Sequence, residues 1–386
     1  MSERYGYRVL YLSGPIEPPW TRADKNLVRG VATHLQRYRA CVMTHEGVVL
    51  PDLNVDTEPL WGPRVGGDTP IGRRLNLFTH LIESTGTELV HLFWPAEHLV
   101  AQVVKTACRI RGLPVVHTLV RPPRSLFGLS GALAGSPVVC LTEQTQERLH
   151  REGIRNTVHI PTGIVAGTPL PEGDKAAIRR RYRIPLDRPV VIYAGDYSHS
   201  KAARTFAATM PRVLRSVPCH FVFACRIRNP EDAEEEGRIQ EAITADGIAD
   251  HVTFLNEISN LRELLSIATV QVFPADRHYE QMEMPMVLLE GMAERVATVV
   301  VSKPPLTELL HAGAAYGVPP GDPVSLAVPV VSLLTNPDQA RVLGEAGRKL
   351  VETRYNIAKV AARHEELYDE ILTRKNSRAT GWFARI

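Results

Sequence analysis

Short β-branched runs alternate with longer amphipathic stretches along this chain, and this alternation constrains the fold more than any other feature. The first half contains such runs at 8–13, 88–93, 114–120, 137–142 and 157–161, with helical periodicity near 23–38, 72–84, 96–111 and 143–152. The second half repeats the rhythm, with runs at 190–195, 220–225, 251–255, 270–274 and 297–302 and helices near 201–216, 231–247, 259–267, 286–294 and 323–335. Continuous apolar strands separated by helices are typical of parallel sheets covered on both faces. The sequence therefore predicts an α/β fold in each half.

A segment crowded with Pro and Gly, PTGIVAGTPLPEGD at 161–174, separates the two halves. The chain of 386 residues is too long for one ordinary core. We predict a Rossmann-like domain over 1–165 and a second one over 166–357, both with doubly wound parallel sheets. A terminal helix from about 358 to 386 is expected to pack back on the first domain. Two such domains would face each other across a cleft, and ligands in sheets of this kind bind beyond the carboxyl ends of the strands.

Composition and charge exclude several classes of protein. A formal net charge of +3 does not favour wholesale nucleic-acid binding. The five cysteines are scattered without a CxxC pair, which favours reduced thiols in a cytoplasm. We find neither a secretory signal pattern at the N-terminus nor an apolar window of the roughly 18 residues that span a bilayer. Arginine clusters at 109–124 and 179–183 predict solvated faces, with contact to a membrane surface or an anionic ligand as the alternative.

Familiar catalytic motifs are missing from the sequence. There is no GxGxxG fingerprint, P-loop, HExxH, DxD or GxSxG, and no cluster of Cys and His. We therefore expect no metal site and no cofactor beyond the substrate itself. An enzyme built from this sequence would have to act by positioning its substrates and stabilising charge.

One acid interrupts the apolar stretch MEMPMVLLEGMAERVATVVVS, which covers 282–302. Glu290 stands in its middle, five residues after Pro285. An unpaired buried carboxylate is costly, because burial removes it from water without compensation. Glu290 therefore either caps a structural element or faces a ligand.

The second half resembles the donor-binding domain of GT-B glycosyltransferases of family 4. The matching segments are 189–214, 220–228, 250–275, 282–310 and 321–357, and a weaker likeness covers PVVHTLV, VVCLTEQTQERL and VHIPTG in the first half. The resemblance implies a retaining transfer of a sugar from a nucleoside-diphosphate donor, most often UDP, to an acceptor hydroxyl. It implies same-face attack without a metal ion. The acceptor would be a small molecule, a glycan or a lipid-linked compound, the last with peripheral membrane contact.

The resemblance also gives the apolar stretch a role. A helix would begin after Pro285, and its free N–H groups would point at the donor diphosphate, since a helix N-terminus favours an anion. These groups belong to Met286, Val287, Leu288 and Leu289. Glu290 matches the family acid that accepts hydrogen bonds from the ribose hydroxyls. The family's other acid falls on Met282, so we expect Glu283 to supply that carboxylate, with a plain loop acid as the alternative.

Cations for the diphosphate are expected after the first strand of the second domain. Gly195 and Lys201 fit the family pattern, but Asp196 occupies the position of its arginine. Arg226 is the expected replacement, because a guanidinium grips phosphate bidentately, and Arg204 is a second candidate. The alternative for Lys201 and Arg204 is ordinary solvation at a helix start.

The acceptor is expected to contact the first domain. The loop at 13–26 follows the first strand and offers Trp20, Arg22 and Lys25. The family often places a histidine near the reacting sugar, and that position is Val120 here, so His117, His91 and the neighbouring Arg121 are candidates. The alternatives are core histidines and a packing tryptophan.

Two other functions fit the same fold. The substitutions at Val120, Asp196 and Met282 are those of a catalytically silent protein that binds a nucleotide-sugar or serves as a partner subunit. A different GT-B enzyme, such as a nucleotide-sugar epimerase or a sugar-phosphate synthase, would convert the donor without a larger acceptor. The oligomeric state is left open.

Overall fold

The computed structural model describes residues 7–62, 70–123, 125, 127–198, 200–256, 258, 260–275 and 282–383. It divides the chain into two compact units. The first comprises the described residues up to Val165, the segment Met282–Met284, and the chain from Arg354 onward. The second runs from Ala166 to Ala275 and from Pro285 to Thr353.

The first unit is built on a parallel sheet in the order β3-β2-β1-β4-β5-β6-β7. Its strands are β1 (Tyr7–Leu12), β2 (Tyr38–His45), β3 (Asp56–Trp61), β4 (Thr87–Trp94), β5 (Val115–Leu119), β6 (Val138–Cys140) and β7 (Thr157–His159). Its helices are α1 (Ala23–His34), α2 (Pro70–Glu83), α3 (His98–Arg111), α4 (Glu143–Arg151) and the long C-terminal α13 (Ile357–Phe383). A single 3-10 turn covers Leu129–Ala132.

The second unit carries a parallel sheet in the order β10-β9-β8-β11-β12-β13. Its strands are β8 (Val190–Gly195), β9 (His220–Cys225), β10 (Val252–Leu255), β11 (Val270–Phe273), β12 (Ala297–Val301) and β13 (Tyr316–Val318). Its helices are α5 (Glu172–Arg181), α6 (Ala202–Leu214), α7 (Pro230–Ala245), α8 (Leu261–Ser266), α9 (Met286–Ala293), α10 (Thr307–His311), α11 (Pro323–Thr335) and α12 (Pro337–Leu350). A 3-10 turn covers Ala249–His251, and a π-helical turn over Val351–Tyr355 leads into α13.

The prediction of two parallel-sheet, Rossmann-like domains is confirmed, since every strand pair between described residues is parallel. The helix predicted over 23–38 is wrong at its end, because α1 stops at His34 and Tyr38 begins β2. Strands β2, β3 and β13 were missed, as were α5, α10 and α12. The predicted second domain also included Met282–Met284, which cluster with the first unit instead.

Helix α13 is fixed to the sheet of the first unit by three polar contacts, two of them buried. The hydroxyls of Tyr368 and Tyr11 lie 2.9 Å apart, and the ring Nδ1 of His91 lies 2.5 Å from the Tyr368 hydroxyl. Arg363 donates to the carbonyl of His159 at 2.5 Å. These bonds join the last helix to β1, β4 and β7. Within the part of the chain that is described, no helix combines the length and apolarity that crossing a bilayer requires.

Candidate functional site

Each sheet has one point at which the order of strands reverses, and loops leaving the sheet there diverge to form a crevice. In the second unit this point lies between β8 and β11. Gly195 ends β8, and the described chain after β11 leads into α9 through Pro285. Gly195 and the start of α9 therefore both lie at the edge of the sheet where the carboxyl ends of its strands are found.

The N-terminus of α9 is open to an anion. Pro285 precedes the first helical residue, and in the described residues no side chain caps the helix and no acid lies in its first turn. The amides of the first turn lack intrahelical acceptors, so they carry partial positive charge. Leu288 is an exception to our expectation, because its N–H donates to the carbonyl of Pro285 at 3.1 Å. The side chains of Leu288 and Leu289 are buried in the core, and Met286 and Val287 are half-buried.

Glu290 lies on the second turn of α9 and is half-buried. Among the described residues its carboxylate has no hydrogen-bond donor and no cation beside it. Burial alone raises the pKa of Glu290 to about 7. A carboxylate in this position is destabilising unless a ligand donates hydrogen bonds to it.

A buried glutamine holds α9 in place beneath Glu290. Gln271 on β11 donates to the carbonyl of Leu288 at 3.0 Å and to the hydroxyl of Thr298 at 2.7 Å. A side chain at Gly291 would collide with the Gln271 amide and would have to displace it from these bonds. Our reading of the sequence missed Gln271, although a polar residue inside the buried strand VQVF was the available signal.

The loop after β8 is shaped by its own strand. The Tyr193 hydroxyl donates to the carbonyl of Asp196 at 3.0 Å, and a side chain at Gly195 would collide with that hydroxyl. Asp196, in the position of the family arginine, forms an ion pair with Arg228 at 2.7 Å. The sequence pointed to Arg226 as the replacement guanidinium, and it missed Arg228.

Asp232 ties the loops after β8 and β9 together. Its fully buried carboxylate accepts from the Ser198 amide at 3.1 Å, the Ser198 hydroxyl at 2.5 Å and the Arg228 amide at 3.0 Å. The Arg228 guanidinium lies 3.7 Å from the same carboxylate. Because Asp196 and Asp232 together outweigh its charge, Arg228 offers no net positive charge to a phosphate.

The other predicted cations occupy different positions. Lys201 is exposed and immediately precedes α6, and Arg226 is exposed and immediately follows β9. Arg204 forms a two-nitrogen ion pair with the buried carboxylate of Glu235, with 2.7 Å between its Nε and that carboxylate. This pair holds Arg204 against α7 while its side chain stays 60% exposed, and its contact with a diphosphate stays a prediction.

Glu283, predicted to contact the reacting sugar, bonds to two threonines at the start of α4. Its carboxylate is buried in the first unit, where it accepts a hydrogen bond from the Thr142 hydroxyl at 3.1 Å and another from the Thr145 hydroxyl. Burial raises its pKa, and the two threonines and the charge of Arg148 oppose that rise. Each oxygen thus has one protein donor, and the contact of Glu283 with the reacting sugar stays a prediction.

In the first unit the order of strands reverses between β1 and β4, and a pocket lies where their carboxyl ends meet. The pocket has a volume of about 410 Å³, which includes space open to solvent. The polar lining includes Arg22, Asp24 and Lys25, two of which were predicted to contact the acceptor. The apolar lining includes Ile16, Val28, Phe93 and Val120, the last of which takes the place of the family histidine.

Charged groups of this pocket are held in a defined arrangement. Arg22 donates to Asp24 through Nε at 3.0 Å and through Nη2 at 2.5 Å. Lys25 donates to the carbonyl of Glu17 at 2.8 Å. Burial alone would raise the pKa of Asp24, but the Arg22 hydrogen bond and the charges of Arg22 and Arg121 lower it. Trp20 lies outside the lining and packs under Arg29, whose guanidinium carbon is 4.4 Å from the ring centroid.

His91 and His117 are core residues, so the structure contradicts their predicted contact with an acceptor. Both are buried, His91 between the hydroxyls of Tyr368 and Thr118, the latter at 2.7 Å from its Nε2. His117 accepts from the Ala134 amide at 3.1 Å, and its Nε2 lies 3.0 Å from the carbonyl of Trp94. Burial keeps the pKa of His91 well below its usual value and lowers that of His117 to about 4. Both rings are therefore neutral structural groups.

Known proteins share this domain and fold. Residues 174–350 match the family profile described as glycosyl transferases group 1. The chain is 21% identical over 200 residues to N-acetyl-alpha-D-glucosaminyl L-malate synthase of Bacillus anthracis, covering 52% of this chain and 50% of that protein. It is 26% identical over 267 residues to alpha-maltose-1-phosphate synthase of Mycolicibacterium smegmatis, covering 67% of this chain and 66% of that protein. The match thus spans between half and two thirds of the length of these curated relatives.

One solved structure has the same fold as this protein over nearly the whole chain. Alr3699/HepE of Anabaena, in complex with UDP and glucose, superposes with a TM-score of 0.76 at 14% identity, covering 95% of this chain and all of that one. The two parallel sheets have the GT-B fold of that structure, and the second unit contains the segment that matches the glycosyl transferases group 1 profile. In the described part of the chain, no three His, Cys, Asp or Glu side chains converge as a metal site would require.

Proposed function

We propose that this protein is a retaining glycosyltransferase that moves a sugar from a nucleoside-diphosphate donor, most often UDP, to an acceptor hydroxyl. One observation carries the proposal. An uncapped helix begins at the reversal point of the second sheet, and one turn further on the Glu290 carboxylate is half-buried without a partner among the described residues. This arrangement suits a diphosphate next to a ribose, and Alr3699/HepE, which shares the fold, was solved with UDP.

Two kinds of group contact the nucleotide in this proposal, one at its ribose and one at its diphosphate. Glu290 accepts the ribose hydroxyls, while the amides of Met286 and Val287 and the cations Lys201 and Arg226 receive the diphosphate. No nucleophile is needed, because same-face transfer relies on stabilising the departing diphosphate. Each such donor to a developing oxyanion is worth about 3–4 kcal/mol in comparable sites. We propose a metal-independent reaction, as the resemblance to the family implies.

Turnover separates this proposal from its alternatives. UDP-, GDP-, ADP- and dTDP-sugars should be incubated with the protein in EDTA, with and without acceptor alcohols, and followed by mass spectrometry and NMR. We expect one donor class to be consumed, with retention at the anomeric carbon, and a roughly 100-fold slower rate for Lys201→Ala. Binding without turnover would identify a silent relative, and donor conversion without any acceptor would identify an epimerase.

We propose a cytoplasmic location, which is supported by the five cysteines, all buried and none in a disulfide. We further propose that the first unit touches an anionic membrane surface. Phe127 is 94% exposed and Ile110 65% exposed, and Arg109 beside Ile110 is exposed as well. Liposome flotation with anionic lipid should show binding that high salt removes. Absence of binding at low salt would rule this contact out.

A further inference from the structure

A histidine lies at the carboxyl end of β2, beside the loop that forms one wall of the pocket in the first unit. His45 is the last residue of β2, and β2 pairs directly with β1. Residues 13–16 follow β1 and line the pocket, and the Ile16 amide donates to the carbonyl of Met43 at 2.8 Å. His45 therefore lies at the edge of the sheet where ligands of such folds bind.

Glu17, the next residue of this loop, fixes the orientation of the His45 ring. One carboxylate oxygen of Glu17 lies 3.0 Å from the ring Nδ1, and the other accepts from the His45 amide at 3.3 Å. The Glu17 side chain is 7% exposed, whereas that of His45 is 23% exposed. The Glu17 carbonyl also accepts from Nζ of Lys25 at 2.8 Å, so the same residue holds a lysine that lines the pocket.

The bond to Glu17 decides which nitrogen of the neutral His45 ring carries the proton. An ionised carboxylate can only accept, so Nδ1 donates and keeps the proton, and Nε2 becomes the acceptor of the ring. Among the described residues no group bonds to Nε2, and this nitrogen is not buried. A carboxylate that fixes one nitrogen and leaves the other open to a substrate is the arrangement in which histidines act on hydroxyl groups.

Other histidines of the same sheet show what a purely structural ring does. Both ring nitrogens of His91 bond to protein hydroxyls, and both of His117 bond to main-chain groups. These two rings are buried, whereas His45 is half-buried. His45 thus combines a fixed orientation with a nitrogen that the described protein groups do not use.

We propose that Nε2 of His45 accepts a hydrogen bond from a hydroxyl group of the acceptor, and that Glu17 is the positioning residue that sets the ring for this contact. The contact orients the acceptor and lowers its KM, and no proton transfer is assigned to it. The inference rests on the proposed function, because it names a residue that contacts the second substrate of that reaction.

The variant His45→Asn separates this contact from the structural role of the ring. The amide nitrogen of Asn takes about the place of Nδ1 and can still donate to Glu17, while nothing remains at the place of Nε2. Sugar transfer is measured with glucose, glycerol and L-malate as acceptors, using the donor class that turns over. We expect an unchanged affinity for the nucleotide and an acceptor KM raised about 5-fold to 10-fold, as the loss of one neutral hydrogen bond would give.

NMR of ¹⁵N-labelled histidine reports the tautomer at about pH 8, with the His45 signals assigned by their absence in His45→Asn. We expect a proton on Nδ1, none on Nε2, and a change in the Nε2 signal when the active acceptor is added. Glu17→Gln offers a single acceptor oxygen to the ring and the amide, so it should weaken the preference for this tautomer and raise the acceptor KM as well. Glu46→Gln is the control, because Glu46 is the next residue in the chain and is exposed.

A wild-type ring that carries a proton on Nε2, or an unchanged acceptor KM in His45→Asn, would overturn the inference. Circular dichroism and the nucleotide affinity check that each variant is folded. If the wild type transfers sugar and His45→Asn keeps the same acceptor KM, this inference fails and the proposed function stands. If the wild type consumes no donor with any acceptor, the proposed function fails, and with it the substrate that this inference concerns.

Discussion

Replacing Glu290 with Gln should weaken nucleotide binding while making the ligand-free protein more stable above pH 7. Gln preserves the size of the side chain but removes its charge and one of its two acceptor oxygens. If the carboxylate accepts both ribose hydroxyls, we expect the affinity to fall about 100-fold, because hydrogen bonds to a charged group contribute about 1.5–3 kcal/mol. A structural acid would not show this loss of affinity.

The gain in stability follows from the pKa of Glu290, which burial raises from 4.5 to about 7. The folded protein therefore holds this proton more tightly than the unfolded chain does. Below pH 4.5 Glu290 is protonated in both states, so it does not lower the free energy of unfolding. Between pH 4.5 and 7 its ionisation lowers that free energy by an increasing amount, which reaches its full value above pH 7. That value is about 1–3 kcal/mol, allowing for the partial contact of the side chain with solvent.

Thermal melts from pH 4 to 9 measure the effect. The difference in free energy of unfolding between Glu290→Gln and wild type should grow with pH and level off above about pH 7, in keeping with the linkage of protonation to folding. Glu241→Gln serves as the control, because Glu241 is an exposed acid on α7. A difference that stays constant across pH, or a variant that binds nucleotide as well as wild type, would contradict the role of Glu290.

Replacing Glu365 with Ala should unfold or strongly destabilise the first unit. Glu365 is buried on α13, and its carboxylate accepts from the amides of Gln36 and Arg37 at 2.7 Å each and from that of Tyr38 at 3.3 Å. The substitution leaves these three amides at the start of β2 without their acceptor. We expect a loss of about 3–5 kcal/mol, as when one partner of a buried charged network is removed.

Urea denaturation followed by circular dichroism and tryptophan fluorescence measures this loss. Glu366→Ala is the matched control, since Glu366 is the next residue on α13 and is exposed. A chain of two units need not unfold in one step, so the midpoints should be compared probe by probe. If Glu365→Ala and Glu366→Ala unfold at the same urea concentration, the bonds from Glu365 to the start of β2 contribute little.

The sequence predicted the fold class because apolar β-branched runs and amphipathic stretches leave a strong local signal. Strand β3 was missed because its residues DTEPLW include acids and a proline, which oppose a central strand. It forms at the edge of the sheet, where only β2 pairs with it. Strand β2 was missed because the predicted helix was extended across its first residue.

Local sequence located the start of α9 and its acid, because Pro285 immediately precedes this short helix and Glu290 lies within it. The contacts that the sequence did not predict involve partners that are distant in sequence. Glu283 is satisfied by Thr142 and Thr145, about 140 residues away, and His91 by Tyr368, 277 residues away. No local pattern reports such pairings.

Isothermal titration of the wild-type protein with UDP, GDP, ADP and dTDP, each beside its own nucleoside, tests the central claim most directly. That claim is a nucleotide site at the reversal point between β8 and β11. The account predicts that one nucleoside diphosphate binds with a Kd on the order of micromolar, and that its nucleoside binds far more weakly, because the amides at the start of α9 require the phosphates. If none of the four diphosphates binds at millimolar concentration, Glu290 is a structural acid and the proposed donor site is wrong.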